Sequence, residues 1–241
     1  MKQASFPSHS TDIRAAQRID IYAHIHKALR LFMNDTLHVV GAMDDADDQE
    51  VAGGLAQVRE LTAFCRKHLQ HENQFIHAAM EARRPGSAAA IAAEHGHHEF
   101  SLDRIEELAS TVETSHGSVR AAAIVALYRS LGLFIADNLV HMHSEETENN
   151  AILWATHTDE EIIGIEQALV ASIPPDESLA TMRWMIAALS ASERAEKLTI
   201  IRRHAPPPAF DALLGVARET LAERDWRKLA DALGLADRMA A

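Results

Sequence analysis

Apolar residues recur at steps of three and four along most of this chain, a spacing that predicts amphipathic helices rather than strands. A first helix, over about 11–43, carries the stripe Ile19, Tyr22, His26, Leu29, Met33, Leu37 and Val40. An acidic stretch, 44–54, follows as a loop. A second helix over about 51–83 carries Val58, Leu61, Cys65, His68, Glu72, Phe75 or Ile76, and Ala79. It stops at Arg84-Pro85-Gly86, a strong helix breaker. A third, over about 88–112, presents Ile91, Glu94 or His95, His98, Leu102, Ile105 and Leu108, with a break near Ser115-His116-Gly117. A fourth, over about 118–155, presents Leu131, Phe134, Asn138, His141, Glu145 and Ile152. Thr158-Asp159-Glu160-Glu161 reads as the cap and acidic first turn of a short helix that ends before Pro174-Pro175.

Beyond Asp176 the helices are shorter, separated by a capped turn at Ser190–Glu193 and by Pro206-Pro207-Pro208. The expected fold class is all-α. It comprises a four-helix bundle over 11–157 and a small C-terminal helical extension over 158–241. The extension's apolar residues, Trp184, Met185 and Trp226, would cover the bundle or meet a second copy in a homodimer.

Composition narrows the picture. The chain has 241 residues, 47% hydrophobic and 24% charged, which describes a folded domain rather than a disordered one. A single cysteine, Cys65, excludes a disulfide framework and a cysteine-based zinc finger. The net charge of −12 argues against binding to a phosphate backbone, so no nucleic-acid partner is expected. The N-terminal residues are polar, and no uninterrupted run of about 18 apolar residues is present. A soluble, cytoplasmic protein without a membrane partner is therefore expected.

The unusual feature is histidine, present 15 times. Each of the four long helices places one in its apolar stripe: His26, His68, His98 and His141, with His95 beside His98. Two helices add a glutamate one turn later, Glu72 after His68 and Glu145 after His141. Five His-x-x-x-Glu pairs occur, where composition alone gives about one. Only these two pairs share an apolar stripe. His77 has the polar Gln70, Asn73 and Gln74 upstream and reads as solvated. His157 precedes a cap, so it and Glu161 fall in different helices. An unpaired buried carboxylate costs several kcal/mol, and a metal centre removes that cost by binding carboxylates and neutral imidazoles. Residues at i and i+4 share a helix side, and a bundle brings such groups together near its axis. The motif His-Glu-x-x-His is absent, which removes the zinc-protease reading. The acidic stretch 44–50 lacks EF-hand spacing and reads as a solvated loop. Cys65 reads as small core filler.

The segments His68-Leu69-Gln70-His71-Glu72 and His141-Met142-His143-Ser144-Glu145-Glu146 resemble the repeated histidine–glutamate signature of hemerythrin-like (HHE) cation-binding domains. His26-Lys27-Ala28-Leu29-Arg30 is similar to that family's first-helix segment, and Glu94-His95-Gly96-His97-His98-Glu99 to its third. The resemblance covers about 15–155. It implies an antiparallel four-helix bundle and a non-haem di-iron centre, two iron ions with carboxylate and oxo or hydroxo bridges. By that resemblance Glu72 and Glu145 would bridge the irons, His26 and His68 would bind one, and His98 and His141 the other. Where hemerythrins place a fifth histidine, this sequence has Glu94, so His95, Glu94 or solvent would fill that position. The fourth-helix acid is Glu at i+4 from His141, not the Asp at i+5 of oxygen carriers. The function implied is binding of oxygen, nitric oxide or iron itself for sensing, storage or delivery. The alternatives are an oxidoreductase activating oxygen or peroxide, and a metal-responsive regulatory module.

Overall fold

The computed structural model describes residues 18–235. They are predominantly helical, with no strand among them. The helices are α1 (Ala23–Ala42), α2 (Asp48–His71), α3 (Ala78–Arg83), α4 (Ala89–Thr114), α5 (Gly117–Ser144) and α6 (Asn150–Thr156). They continue with α7 (Asp159–Ser172), α8 (Pro175–Ala188), α9 (Ala191–His204), α10 (Pro207–Thr220) and α11 (Glu223–Ala232). Two wider π-helical turns interrupt the long helices: Glu72–His77 joins α2 to α3, and Glu145–Asn149 joins α5 to α6.

The first helix starts later than its stripe predicts. Residues 18–22 bend instead, and residues 11–17 lie outside the described range. Side chains compete for this segment's backbone. Asp20 Oδ1 accepts from the amides of Tyr22 and Ala23 and from Asn150 Nδ2, and Trp154 Nε1 donates to the Ile19 carbonyl. Arg18 donates to Asp159 and to the carbonyls of Trp154 and His157. The start of α1 is thereby stapled across the α6–α7 corner. The acidic stretch is shorter than expected, because α2 already begins at Asp48. Asp47 caps α2, and Asp48 pairs with the buried Arg120. Both expected caps are capping boxes, Thr158 with Glu161 and Ser190 with Glu193.

Four helices close a ring: α1 packs on α2 and α5, and α4 packs on α2 and α5. Apolar side chains fill its interior in two separate layers. The larger holds Leu29, Phe32, Met33, Leu61, Leu69, Leu102, Ile105, Leu127 and Leu131; the smaller holds Tyr22, Ile76, Met80, Ile91 and Leu153. Along α1 and α4 the chain passes from the smaller layer to the larger, and along α2 and α5 the reverse. The span Gly117–Thr156 is long and apolar enough to cross a membrane by length and composition, which a strict count of uninterrupted apolar residues does not register. Its inward face packs on α1 and α4 and carries Asn138, His141 and Glu145.

The C-terminal helices build a third apolar cluster from Met185, Ile186, Leu198, Phe210, Leu213, Trp226 and Leu229, and it includes Ala28 of α1. Trp184 touches both this cluster and the larger layer, stacking on Phe32 at 3.9 Å between ring centroids. Trp184, Met185 and Trp226 thus pack within the chain. Truncating the bridging ring by Trp184→Ala is expected to cost about 2–3 kcal/mol, below the full range for a buried tryptophan because the ring is partly exposed. Urea unfolding measures it, and a loss under about 0.5 kcal/mol would show that α8 does not anchor on α1 through this ring.

Candidate metal centre

Between the larger and smaller apolar layers lies a buried polar one. It is built from His26 of α1, His68 and Glu72 at the end of α2, His95 of α4, and His141 and Glu145 at the end of α5. The ligand-capable atoms form two overlapping groups, His26, His68, Glu72 and Glu145, and then Glu72, His95, His141 and Glu145. Within each group they lie no more than 4.8 Å apart. The two glutamates belong to both.

Each carboxylate divides its oxygens between the halves. Glu72 Oε1 faces His26 Nε2 (3.6 Å) and His68 Nε2 (3.1 Å), while its Oε2 faces His95 Nε2 (3.6 Å). Glu145 Oε2 faces His26 Nε2 (3.4 Å), while its Oε1 faces His95 Nε2 (3.7 Å) and His141 Nε2 (3.4 Å). These contacts have ion-pair distances without hydrogen-bond geometry. All four carboxylate oxygens and the Nε2 atoms of His26 and His68 are buried without a hydrogen-bond partner.

The outer edges of the imidazoles explain their orientation. His26 Nδ1 donates to Glu146 Oε1 (3.0 Å); Arg30 Nη1 donates to the same oxygen and its Nη2 to Oε2. His141 Nδ1 donates to Glu94 Oε2 (2.8 Å), and His95 Nδ1 to Asn73 Oδ1 (2.9 Å). With Nδ1 carrying the hydrogen, each ring turns an Nε2 lone pair inward, as in metal sites where outer acceptors orient the ligand histidines. The Nε2 atoms of His95 and His141 stand 3.1 Å apart. Two inward lone pairs at that distance repel unless a proton or a metal cation lies between them. The donor set therefore fits a pair of cations.

Without a cation the groups hold protons instead. Burial and the neighbouring Glu145 push the Glu72 carboxyl up to about 8. Burial opposes charge on His26, but Glu145, Glu146 and Glu72 outweigh it and raise this imidazole well above its usual range. Burial likewise opposes charge on His141, and Glu145 and Glu94 raise it. Glu145 resists its burial because His141, His26 and His95 hold it ionised. His68 is pushed well down by burial and by His26.

Of the seven sequence-predicted ligands, the structure brings six together: His26, His68, Glu72, His95, His141 and Glu145. His98 stands apart. It is buried edge-on to His141, with centroids 4.6 Å apart, but lies in neither converging group. Glu94 supports His141 from outside rather than joining the centre. His71 is partly exposed, and His38, His97 and His143 are exposed. Cys65 is buried and its thiol is pushed by burial up to about 12, consistent with filler. Tyr22 stacks on His26 at 5.1 Å between centroids and accepts from Asn149 Nδ2.

One expectation fails: His77 is not solvated but 4% exposed. At 100° per residue an α-helix would turn a residue five beyond Glu72 about 140° away from it. The π turn begins at Glu72, and its wider i→i+5 winding returns His77 towards the same side. Glu146, Asn73 and His77 were not singled out from the sequence as site residues. The available signal was the polar runs Glu72-Asn73-Gln74 and Glu145–Asn149 inside otherwise apolar helices.

No protein-family model matches this chain, nor does any curated protein or solved structure.

The proton inventory sets a pH dependence. Glu72, His26 and His141 are raised, so each releases a proton when a cation binds. Metal affinity should rise with pH up to about 8, by about tenfold per pH unit for each proton displaced. Calorimetry in buffers of different ionisation enthalpy counts those protons; an affinity flat between pH 6 and 8 would contradict the assignment.

Proposed function

We propose that the chain is a hemerythrin-like metal-binding protein that holds two metal ions, iron by preference. The proposed frame is an antiparallel four-helix bundle formed by the α1, α2, α4 and α5 ring. The support for opposed directions is the order in which each helix crosses the two apolar layers. In this reading His26 and His68 hold one ion, His95 and His141 hold the other, and Glu72 and Glu145 bridge them. The carrying observation is that each glutamate turns one oxygen to each histidine pair. A mixed imidazole and carboxylate set suits iron, with zinc and manganese as the alternatives. A pair of iron ions there would supply the capacity to bind a small diatomic such as oxygen or nitric oxide, for sensing, storage or delivery.

The chain's own residues set the terms of that binding. Glu146 with Arg30, Glu94 and Asn73 hold the imidazoles in the inward tautomer. The apolar layers on both sides exclude bulk water and strengthen the electrostatics between them. Tyr22 closes the floor beside His26.

A regulatory reading has one observation in its favour. The helix that carries His26 also carries Ala28, which packs into the C-terminal cluster. Metal that fixes His26 would therefore also fix the surface on which α8 and α10 are assembled.

Purified under anaerobic conditions, the protein should carry close to two transition-metal ions per chain by elemental analysis. Glu72→Ala or Glu145→Ala should each reduce that below one, and added metal should raise the melting temperature of the wild type but not of these variants. Full metal content in both variants would overturn the bridging assignment. At a free-metal concentration a hundredfold above Kd, the gain in stability should be about 2.7 kcal/mol for each ion bound.

A further inference from the structure

His77, like His98, is a buried imidazole that stands outside both converging groups of the centre. Its Nδ1 donates to Asn73 Oδ1 at 3.0 Å, the same oxygen that takes the hydrogen of His95 Nδ1 at 2.9 Å. An amide oxygen only accepts, so both rings carry their hydrogen on Nδ1 and a lone pair on Nε2. The two rings are stacked, 4.8 Å apart and 26° from parallel. His95 turns its lone pair into the centre. His77 Nε2 is buried and has no hydrogen-bond partner at all. A buried acceptor without a donor is uncommon and calls for a specific reason.

His77 shares two features with His26. Its outer nitrogen is anchored to an acceptor, and its inner nitrogen is bare. His98, the other buried imidazole nearby, has neither ring nitrogen hydrogen-bonded. Its ring is therefore not held in a ligating tautomer. The π turn also bears on this. It starts at the bridging Glu72, ends at His77, and places Asn73 between them. One irregular turn therefore carries a bridge, an anchor and an unpartnered imidazole, in keeping with the tendency of π turns to occur at functional sites.

From this geometry we infer that His77 is a further imidazole ligand of the ion held by His95 and His141, contributed by the second helix through its π turn and oriented by Asn73. The two halves of the centre would then differ, with three imidazoles on one ion and two on the other. The inference rests on the two-ion reading above.

The test uses cobalt(II) added to metal-free full-length protein, followed by visible absorption and by competition with a chelator. In wild type two cobalt ions should bind. In His77→Leu one of them should bind at least tenfold more weakly, with altered visible bands, while the other changes less than threefold. Because an unpartnered polar nitrogen is removed, metal-free His77→Leu should melt no lower than wild type. His98→Leu should leave both cobalt affinities within threefold. His77→Gln, polar and of similar length, replaces the leucine variant if that one does not fold.

Wild-type cobalt binding with an unchanged His77 variant would overturn this inference alone. So would a tenfold loss in His98→Leu and none at His77, or failure of both His77 variants to fold without metal, which would assign the ring to packing. Absence of cobalt from wild type would overturn the two-ion reading as well.

Discussion

Two carboxylates face each other in a layer that apolar side chains seal on both sides, and the rest of the structure accommodates that repulsion. Neither Glu72 nor Glu145 has a hydrogen bond to soften it. Desolvation of two like charges at such a place costs several kcal/mol per ion unless positive charge stands between them. Imidazoles from four helices supply the lining, and protons or metal cations supply the charge. The outer acceptors Glu146, Glu94 and Asn73 then become intelligible: they decide which nitrogen of His26, His141 and His95 points inward. The resulting layer is a polar disc within a helical core, with a symmetry the sequence hints at and the side-chain oxygens complete.

The two π turns are part of the same solution. Each begins at a glutamate that belongs to both converging groups. A regular α-helix continuing from His68 through Glu72 would return an apolar stripe to the core and send the next polar residues outward. The wider turn lets several consecutive side chains contribute to the layer, so that Glu72, Asn73 and His77 act from one turn, and Glu145, Glu146 and Asn149 from the other.

The C-terminal third is less independent than an extension of the chain suggests. Ala28 is two residues from His26 and belongs to the C-terminal cluster, and Trp184 reaches past it to stack on Phe32. Lys27 adds an ion pair to Glu193 at 2.5 Å. One helix thus serves the polar layer with one side and the docked helices with another, which couples their stabilities mechanically.

Much of this was determined by sequence alone. The three-and-four spacing placed every long helix, Pro85-Gly86 and Ser115-His116-Gly117 ended two of them, and the two histidine–glutamate pairs stood out because they lay within apolar stripes. Such signals are local, carried by residues within a turn or two of each other. What tertiary structure decided was not local. The choice of His95 over His98, separated by three positions on one helix, depended on where α2 and α5 present their acids. The burial of His77 depended on a π turn that shifts the helical phase, which a fixed 3.6 period cannot express. The late start of α1 depended on Asn150 and Trp154, some 130 residues away. Periodicity names the residues that face inward, but only the packing of separate helices decides which of their atoms meet.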